Sequence, residues 1–250
     1  MNLIPFVLAV AAAAQSSASY TGHGAASVPK EILEKFAPKP IPEDLARSIQ
    51  EMLDVRSPGM GQLSPDGKRL FFTWRVTGVP QVWRLDGPMR FPVQMTAGQD
   101  PTNIVDVTPD GKTLVLSRDR KGEENPGLYL QDAAGGSLRV IQHKAGVQTS
   151  FSFVSPDGRW VYYRSNDKKP DSYALYRYDI TAGRAEEVFS QDGIRFIADH
   201  KPGRLLLGKA VGSNMVEYFE LTESDKALMP LFGQGEREDQ GERKPAFQEA

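Results

Sequence analysis

The chain has 250 residues, enough for one large domain with a substantial core, and its 30 basic residues nearly balance its 32 acidic ones. No stretch forms a basic stripe, which excludes non-specific nucleic-acid binding, since that needs clustered lysine and arginine. The chain contains no cysteine and therefore no disulfide framework, thiol nucleophile or thiolate metal site. Its three histidines stand apart from one another, so we expect no metal and no cofactor: His23, His143 and His200.

The first 18 residues predict an export signal. An apolar run from residue 3 to residue 14 is too short to span a bilayer but suits the core of a signal peptide, and small residues follow it. No basic residue precedes the run, which leaves a hydrophobic N-terminal helix or a start codon placed a few residues late as alternatives. With residues 1–18 as a cleaved signal, the protein is exported, periplasmic or secreted, and the rest of the chain has no membrane span.

Residues 19–54 predict a flexible leader followed by a helical prelude. The leader, up to about residue 30, is small and polar. Pro29 and Glu31 favour the start of a first helix, and Glu43 with Asp44 favours the start of a second. In the second helix, apolar residues recur at steps of three and four positions: Leu45, Ile49, Met52 and Leu53.

From about residue 55 a strand–turn–strand pattern repeats. Each unit contains a tight turn rich in proline and glycine: Ser64-Pro65-Asp66-Gly67-Lys68, Thr108-Pro109-Asp110-Gly111-Lys112, Ser155-Pro156-Asp157-Gly158-Arg159 and a degenerate His200-Lys201-Pro202-Gly203-Arg204. The four prolines follow one another after 44, 47 and 46 residues. Such a period is typical of a β-propeller, in which each repeat forms one blade of four antiparallel strands. We predict an all-β chain of about four blades, near residues 55–98, 99–145, 146–190 and 191–232.

The strands of these units carry large apolar residues on both faces, as in Leu114-Val115-Leu116. Blades are sandwiched between neighbouring blades, so both faces are buried. If the four blades belong to a ring of seven or eight, two terminal faces stay open, and we expect them to expose these side chains: Phe72, Trp74, Leu206 and Tyr218. After the last blade, residues 233–250 are almost wholly polar and predict a disordered tail.

The recurring Pro-Asp-Gly turn has a structural explanation. Proline presets the first corner, aspartate bonds local backbone amides, and glycine accepts the left-handed conformation that leads into the next strand. We therefore interpret these residues as turn formers: Pro65, Asp66, Gly67, Pro109, Asp110, Gly111, Pro156, Asp157 and Gly158. The alternative is a ring of carboxylates that binds a metal ion.

No catalytic residue can be proposed from the sequence. The Gly-x-Ser-x-Gly turn of α/β-hydrolases does not occur, and Gly212-Ser213-Asn214 lacks the second glycine. Ser165 and Lys168 match Ser-x-x-Lys, but that chemistry needs one helical turn, and here a strand is predicted to end at Ser165. The chain alone is expected to be inactive as a hydrolase.

The most unusual loop runs from Arg118 to Gly127, between the second and third strands of the second blade. It carries five charged or amide side chains that could act together: Asp119, Arg120, Glu123, Glu124 and Asn125. One interpretation is a solvated hairpin. The other is that these charges point into the central cavity or toward a partner, where the acidic pair could hold the ammonium group of a substrate.

These motifs carry a resemblance to a known family. Ser-Pro-Asp-Gly-Lys/Arg followed by an apolar strand resembles the propeller of the prolyl oligopeptidase family of serine peptidases. The loop 118–127 with Leu128-Tyr129-Leu130 is similar to an Asp-x-x-Gly-x-Glu-Asn segment of the bacterial dipeptidyl- and acylaminoacyl-peptidase-like branch. The resemblance covers about residues 40 to 232. TolB-like propellers share the Pro-Asp-Gly repeat and are the weaker match.

In that family a seven- or eight-bladed propeller caps an α/β-hydrolase domain and admits short peptides to a Ser-Asp-His triad. The resemblance therefore implies a hydrolase domain and, through it, peptide substrates as partners. We expect the chain to be the non-catalytic propeller portion of an exported peptidase, truncated before its hydrolase domain. The alternatives are a TolB-like periplasmic propeller that binds a protein partner, and a purely structural four-bladed propeller.

Overall fold

The structure is a computed structural model that describes residues 28–235. The predicted signal peptide, most of the leader and the tail from residue 236 lie outside the described residues. The chain divides at residue 55 into an N-terminal unit and a larger second unit. Within residues 28–235, no helix combines the length and apolar character needed to cross a bilayer.

The N-terminal unit contains two helices, α1 (Lys30–Phe36) and α2 (Glu43–Asp54). Each begins directly after a proline, Pro29 or Pro42, whose extended backbone precedes the first turn. Acidic residues in the first turns favour both helix starts through the helix dipole. No residue of either helix is buried, so the apolar positions predicted in α2 remain accessible.

The second unit consists of sixteen strands in four sheets. The first sheet contains β1 (Gly61–Leu63), β2 (Leu70–Trp74), β3 (Gln81–Leu85) and β4 (Val93–Gln94). The second contains β5 (Thr102–Val107), β6 (Thr113–Arg118), β7 (Gly127–Asp132) and β8 (Arg139–Gln142). The third contains β9 (Thr149–Val154), β10 (Trp160–Lys169), β11 (Ser172–Asp179) and β12 (Arg184–Phe189). The fourth contains β13 (Ile194–Lys201), β14 (Arg204–Ala210), β15 (Val216–Thr222) and β16 (Leu228–Phe232).

Within every sheet the four strands pair antiparallel in chain order, which confirms the predicted fold class. Each sheet corresponds to one blade, numbered one to four along the chain. Strands of successive sheets contact one another, but no comparable contact joins the first sheet to the fourth, so the sixteen described strands do not form a closed ring. The number of blades in the intact ring therefore stays a prediction. One strand is longer than predicted, because β10 continues past Ser165 to Lys169 and forms a hairpin with β11.

The core lies in three layers between successive sheets. On β6, Leu114 and Leu116 pack with Phe71 of the first sheet, whereas Val115 between them packs with Val161 of the third. All five of these side chains are fully buried. A continuous apolar run therefore places successive side chains in two different layers, as a blade with covered faces requires.

The four side chains predicted to be exposed on the terminal blades are not exposed. Phe72 is buried and Trp74, Leu206 and Tyr218 are half-buried. Trp74 lies with its ring edge-on to Trp83, 5.5 Å between centroids, and Tyr218 packs on Phe232 at 4.7 Å. The exposed large apolar side chains of the first and fourth blades are instead these: Met60, Leu63, Val76, Met89, Phe91, Val93, Ile194, Met229 and Leu231.

Candidate functional site

The first three Pro-Asp-Gly turns share one hydrogen-bond pattern. In the first, Ser64 Oγ donates to Asp66 Oδ1 at 2.6 Å and accepts from the backbone N–H of Arg69 at 2.9 Å. Asp66 Oδ1 also accepts from the N–H of Lys68 at 3.1 Å. The same bonds form around Asp110 and Asp157.

These bonds lower the pKa of each turn aspartate, the hydroxyl of Ser64, Thr108 or Ser155 being the largest cause. One oxygen of each carboxylate is thus used within its own turn. Within residues 28–235, no three acidic or histidine side chains are grouped closely enough to bind a metal ion.

Successive turns also pack on one another. The Cδ atom of Pro65 lies 3.4 Å from the position that a Cβ atom would take on Gly111, and Pro109 lies 3.7 Å from the same position on Gly158. Gly111 and Gly158 both have a left-handed backbone, with φ of 69° and 72°. The proline of the first turn therefore packs beside the glycine of the second, and the proline of the second packs beside the glycine of the third. A cavity of about 460 Å³ still lies between the first two turns.

The fourth turn lacks this contact. Lys201 pairs directly with Arg204, so only Pro202 and Gly203 lie between β13 and β14. The turn has no serine, threonine or aspartate to form the bonds of the others, and no atom lies within 4 Å of a Cβ position on Gly203. A cavity of about 390 Å³ lies at this end of the interface between the third and fourth blades. We call this cavity the turn pocket.

Aromatic side chains from both blades line the turn pocket. Phe153 of β9 stacks on Tyr162 of β10, with ring centroids 4.4 Å apart and planes 9° from parallel. His200 of β13 stacks on Phe153, with a separation of 3.7 Å and an angle of 8°. Trp160 also lines the pocket, and the guanidinium groups of Arg177 and Arg159 lie 4.3 and 4.6 Å from its ring.

A carboxylate contributes the polar part of the lining. Glu223 Oε2 accepts from Tyr162 Oη at 2.8 Å and from Arg177 Nη1 at 3.1 Å, and the Glu223 side chain is only 14% exposed. Arg177 donates its other two nitrogens to Glu186. Burial, followed by the bond to Glu223, raises the pKa of Tyr162 to about 12. Both of these donors bond to the same oxygen of the Glu223 carboxylate.

The loop 118–127, predicted from the sequence, lies at the opposite end of the strands, because it follows a second strand whereas the turns precede one. Asp100 accepts from the N–H of Lys121 at 2.9 Å, and Arg120 pairs with Glu123 at 3.5 Å. Asn125 Nδ2 donates to the backbone carbonyl of Glu123 at 2.8 Å. Glu123 and Glu124, the predicted acidic pair, are both exposed.

The loop packs beside a histidine that the sequence did not single out. Tyr129 Oη hydrogen-bonds His143 Nδ1, and a Cβ atom on Gly127 would stand 2.4 Å from His143 Cγ. Burial, and then the positive charge of Arg120, lowers the pKa of His143. Within residues 28–235, His143 Nε2 and Asp119 Oδ1 are buried without a hydrogen-bond partner. This loop therefore packs against a half-buried side chain.

The turn pocket was missed by sequence reasoning. Two features of the sequence could have indicated it. One is the degenerate fourth turn, which begins with His200 instead of serine or threonine. The other is a group of three aromatic residues in the third blade: Phe153, Trp160 and Tyr162. Stacking between His200 and Phe153 joins residues 47 positions apart, from two different blades.

No family model matches the chain. Among solved structures, a prolyl endopeptidase from a study of two such enzymes and of their inter-domain dynamics covers 81% of this chain, with a TM-score of 0.61 and 14% identity. A putative TolB from Agrobacterium tumefaciens covers 71%, with a TM-score of 0.53 and 18% identity. The β-propeller domain of the Trilobed protease from Pyrococcus furiosus, described as having an open velcro topology, covers 72%, with a TM-score of 0.53 and 16% identity.

The chain spans 33%, 62% and 58% of the lengths of these three proteins, respectively. At these identities the likeness concerns the fold. For the fold, the predicted resemblance to prolyl oligopeptidases and to TolB-like propellers is confirmed. The chain has the β-propeller architecture found in a prolyl endopeptidase and in a TolB protein.

Proposed function

We propose that this chain is the non-catalytic propeller portion of a prolyl oligopeptidase-like serine peptidase. In this role it gates the access of peptides to an α/β-hydrolase domain that lies outside these 250 residues. The observation that carries the proposal is the likeness to a prolyl endopeptidase, which reaches a TM-score of 0.61 over 81% of the chain, against 0.53 over 71% for TolB.

The side chains at the ends of the array support a larger assembly. A propeller hides the faces of its blades by closing a ring. Met89 and Phe91 of the first blade are 101% and 94% exposed, and Ile194 and Met229 of the fourth blade are about half exposed. Exposed apolar side chains of this kind suit contact with further protein, here with additional blades and the hydrolase domain.

The chemistry of the described residues suits a gate rather than a catalyst. Ser165 lies on β10 in a fully buried position, so its hydroxyl group is not accessible from the surface. In the proposal the loop 118–127 contacts the hydrolase domain or the peptide through charged and amide side chains: Asp119, Arg120, Glu123, Glu124 and Asn125. Export, with residues 1–18 removed, belongs to the same proposal, and the mass of the mature chain tests it.

The test combines this chain with the α/β-hydrolase domain encoded beside it. Hydrolysis is measured on a series of peptides of increasing length, with and without the propeller. We expect the propeller to lower the rate on long peptides and to leave the rate on short ones nearly unchanged. The proposal would be refuted if no neighbouring reading frame encodes a protein with a Gly-x-Ser-x-Gly motif. It would also be refuted if long peptides were hydrolysed at the same rate with and without the propeller.

A TolB-like module that binds a protein partner in the periplasm is the second candidate. Its support is the TolB likeness, which at 18% has a higher sequence identity than the likeness to the prolyl endopeptidase, at 14%. A locus without a hydrolase, together with a processed chain in the periplasm, would favour it.

A further inference from the structure

We propose that His143 and the loop 118–127 form a pH-sensitive latch, in which the loop is closed on the imidazole while the ring is neutral and opens when the ring is protonated. The gating function is not a premise of this inference, which concerns the isolated chain. Three features of the structure point to the latch: the contact between the ring and the loop, a ring nitrogen without a partner, and the charges around it.

The imidazole lies directly against the end of the loop. His143 follows β8, and the Oη atom of Tyr129 on β7 hydrogen-bonds its Nδ1 atom. The two rings meet edge to face, with centroids 5.6 Å apart and planes at 89°. Gly127, the buried last residue of the loop, leaves room for the ring, because a Cβ atom there would overlap His143 Cγ. A displacement of the ring therefore acts directly on the loop backbone.

The second ring nitrogen has no partner. Within residues 28–235, His143 Nε2 is buried without a hydrogen bond, while Nδ1 is used by Tyr129. A neutral imidazole carries one N–H, whereas the protonated ring carries two and donates from both nitrogens. Protonation in the closed loop thus leaves a charged donor buried without an acceptor, which costs more than a neutral one. In the open state water reaches this nitrogen and removes the cost.

Charged groups of both signs lie around the pair formed by His143 and Tyr129: Asp100, Arg118, Asp119, Arg120 and Glu123. Arg120 pairs with Glu123, and Lys144, the next residue after His143, pairs with Asp167 of the third blade at 3.5 Å. Burial has the largest effect on His143 and the positive charge of Arg120 the next, and the pKa of the ring is lowered despite the three carboxylates. The closed loop therefore favours the neutral ring.

The direction of the pH dependence follows. Because the pKa of His143 is lowered in the closed loop, the neutral ring stabilises closure above the ordinary histidine value of about 6.5. This contribution is lost as the pH falls below that value toward the lowered one. At pH 5, about 1.5 units below the ordinary value, the open population can rise by at most roughly 30-fold.

Hydrogen exchange of the full chain, followed by mass spectrometry, tests the latch. After correction for the intrinsic effect of pH, the amides of residues 118–127 should exchange severalfold, and at most roughly 30-fold, faster at pH 5 than at pH 7.5. Peptides from β14, in the fourth blade, are the internal reference and should keep their protection at both pH values.

Variants assign the effect to His143. His143→Gln keeps a group that can bond Tyr129 but cannot be protonated, so the loop should stay closed at both pH values. His200→Gln is the matched control, because it removes a histidine at the opposite end of the strands and should leave the acid opening unchanged. Arg120→Gln removes the positive charge, so it should raise the pKa of His143 in an NMR titration and weaken the opening.

Equal corrected exchange at the two pH values would overturn the inference. Acid opening that persists in a folded His143→Gln chain, or that is lost in His200→Gln, would also overturn it, since other groups would then control the loop. So would an NMR pKa of His143 at or above about 6.5 in the unsubstituted chain, a measurement that needs no variant to fold. None of these outcomes bears on peptide gating, which is measured with the hydrolase domain present.

Discussion

The interface between the third and fourth blades differs from the two that precede it, although all three have the same kind of core. Each core layer contains fully buried leucines, Leu114 in the first, Leu130 in the second and Leu207 in the third. At the turn end, a proline packs beside a glycine at the first two interfaces, whereas the third interface lacks this contact and has the aromatic-lined turn pocket.

This difference shows that the turn and the core are separable parts of a blade. The core is stabilised by burial between sheets, whereas the turn is stabilised by its own local hydrogen bonds. A repeat can therefore lose its Ser-Pro-Asp-Gly turn and keep its four strands, as the fourth blade does. Connections that tolerate change in this way are where binding sites arise on a constant scaffold.

The largest expected effect tests the similarity of the cores. Leu114→Ala and Leu207→Ala each remove a fully buried side chain from a different layer, and each should lower the free energy of unfolding by about 2–5 kcal/mol. Urea denaturation measures both. Leu231→Ala, at an exposed position on β16, is the control and should change the free energy by less than about 0.5 kcal/mol. A loss below about 1 kcal/mol for Leu207→Ala would mean that the third layer is loosely packed.

The next effect tests the contact between turns. Gly111 and Gly203 have nearly the same left-handed backbone, with φ of 69° and 73°. Asparagine tolerates this conformation, so replacing each glycine with asparagine compares how well the added side chain packs at the two sites. Gly111→Asn places its Cβ atom in contact with Pro65 Cδ, so the rest of the side chain crowds that ring and should lower the free energy of unfolding by about 1–3 kcal/mol. Gly203→Asn enters open space and should be nearly neutral. Equal losses at the two sites would show that the turns do not cover one another.

A smaller effect is expected at the polar lining of the pocket. Tyr162→Phe removes the bond to Glu223 and should lower the free energy of unfolding by about 1–2 kcal/mol at neutral pH. The pKa of Tyr162 is raised to about 12, from about 10 when unfolded. Its contribution is therefore complete below pH 10 and is lost as the pH rises through 12.

The phenolate absorbance of the folded chain should consequently lose a component that titrates near pH 12 in the Tyr162→Phe variant. A component lost near pH 10 instead would show that the Tyr162 hydroxyl group is solvated and not bonded to Glu223.

The smallest effect concerns the turn aspartates at acid pH. The pKa values of Asp66, Asp110 and Asp157 are lowered, so their contribution to stability is present above the unfolded value near 4 and is lost as the pH falls through the folded values. Thr108→Val removes the main cause of the shift at Asp110 and should weaken the acid dependence slightly. An unchanged dependence in a pH series of thermal melts would contradict the assignment.

Much of the fold could be predicted from local sequence. The turn residues encode their own geometry, and the spacing of prolines reports the blade, so the four sheets were predictable from residues close in the chain. The terminal faces were predicted wrongly because the burial of these side chains depends on neighbouring rings, Trp74 beside Phe72 and Phe232 beside Tyr218, and not on strand position alone. The loop 118–127 was recognised, but its partner His143 was not, since no local pattern joins them.

The sequence by itself determined the repeat, the turn chemistry and the absence of a nucleophile elbow, because each depends on neighbouring residues. The tertiary structure alone decided that Phe153 and His200 stack and that Glu223 meets Tyr162 and Arg177. These contacts join the third and fourth blades, and their geometry follows from how two sheets pack, which no short stretch of sequence encodes. The turn pocket thus depends on two things, the local change in the fourth turn and the packing of the third blade beside it.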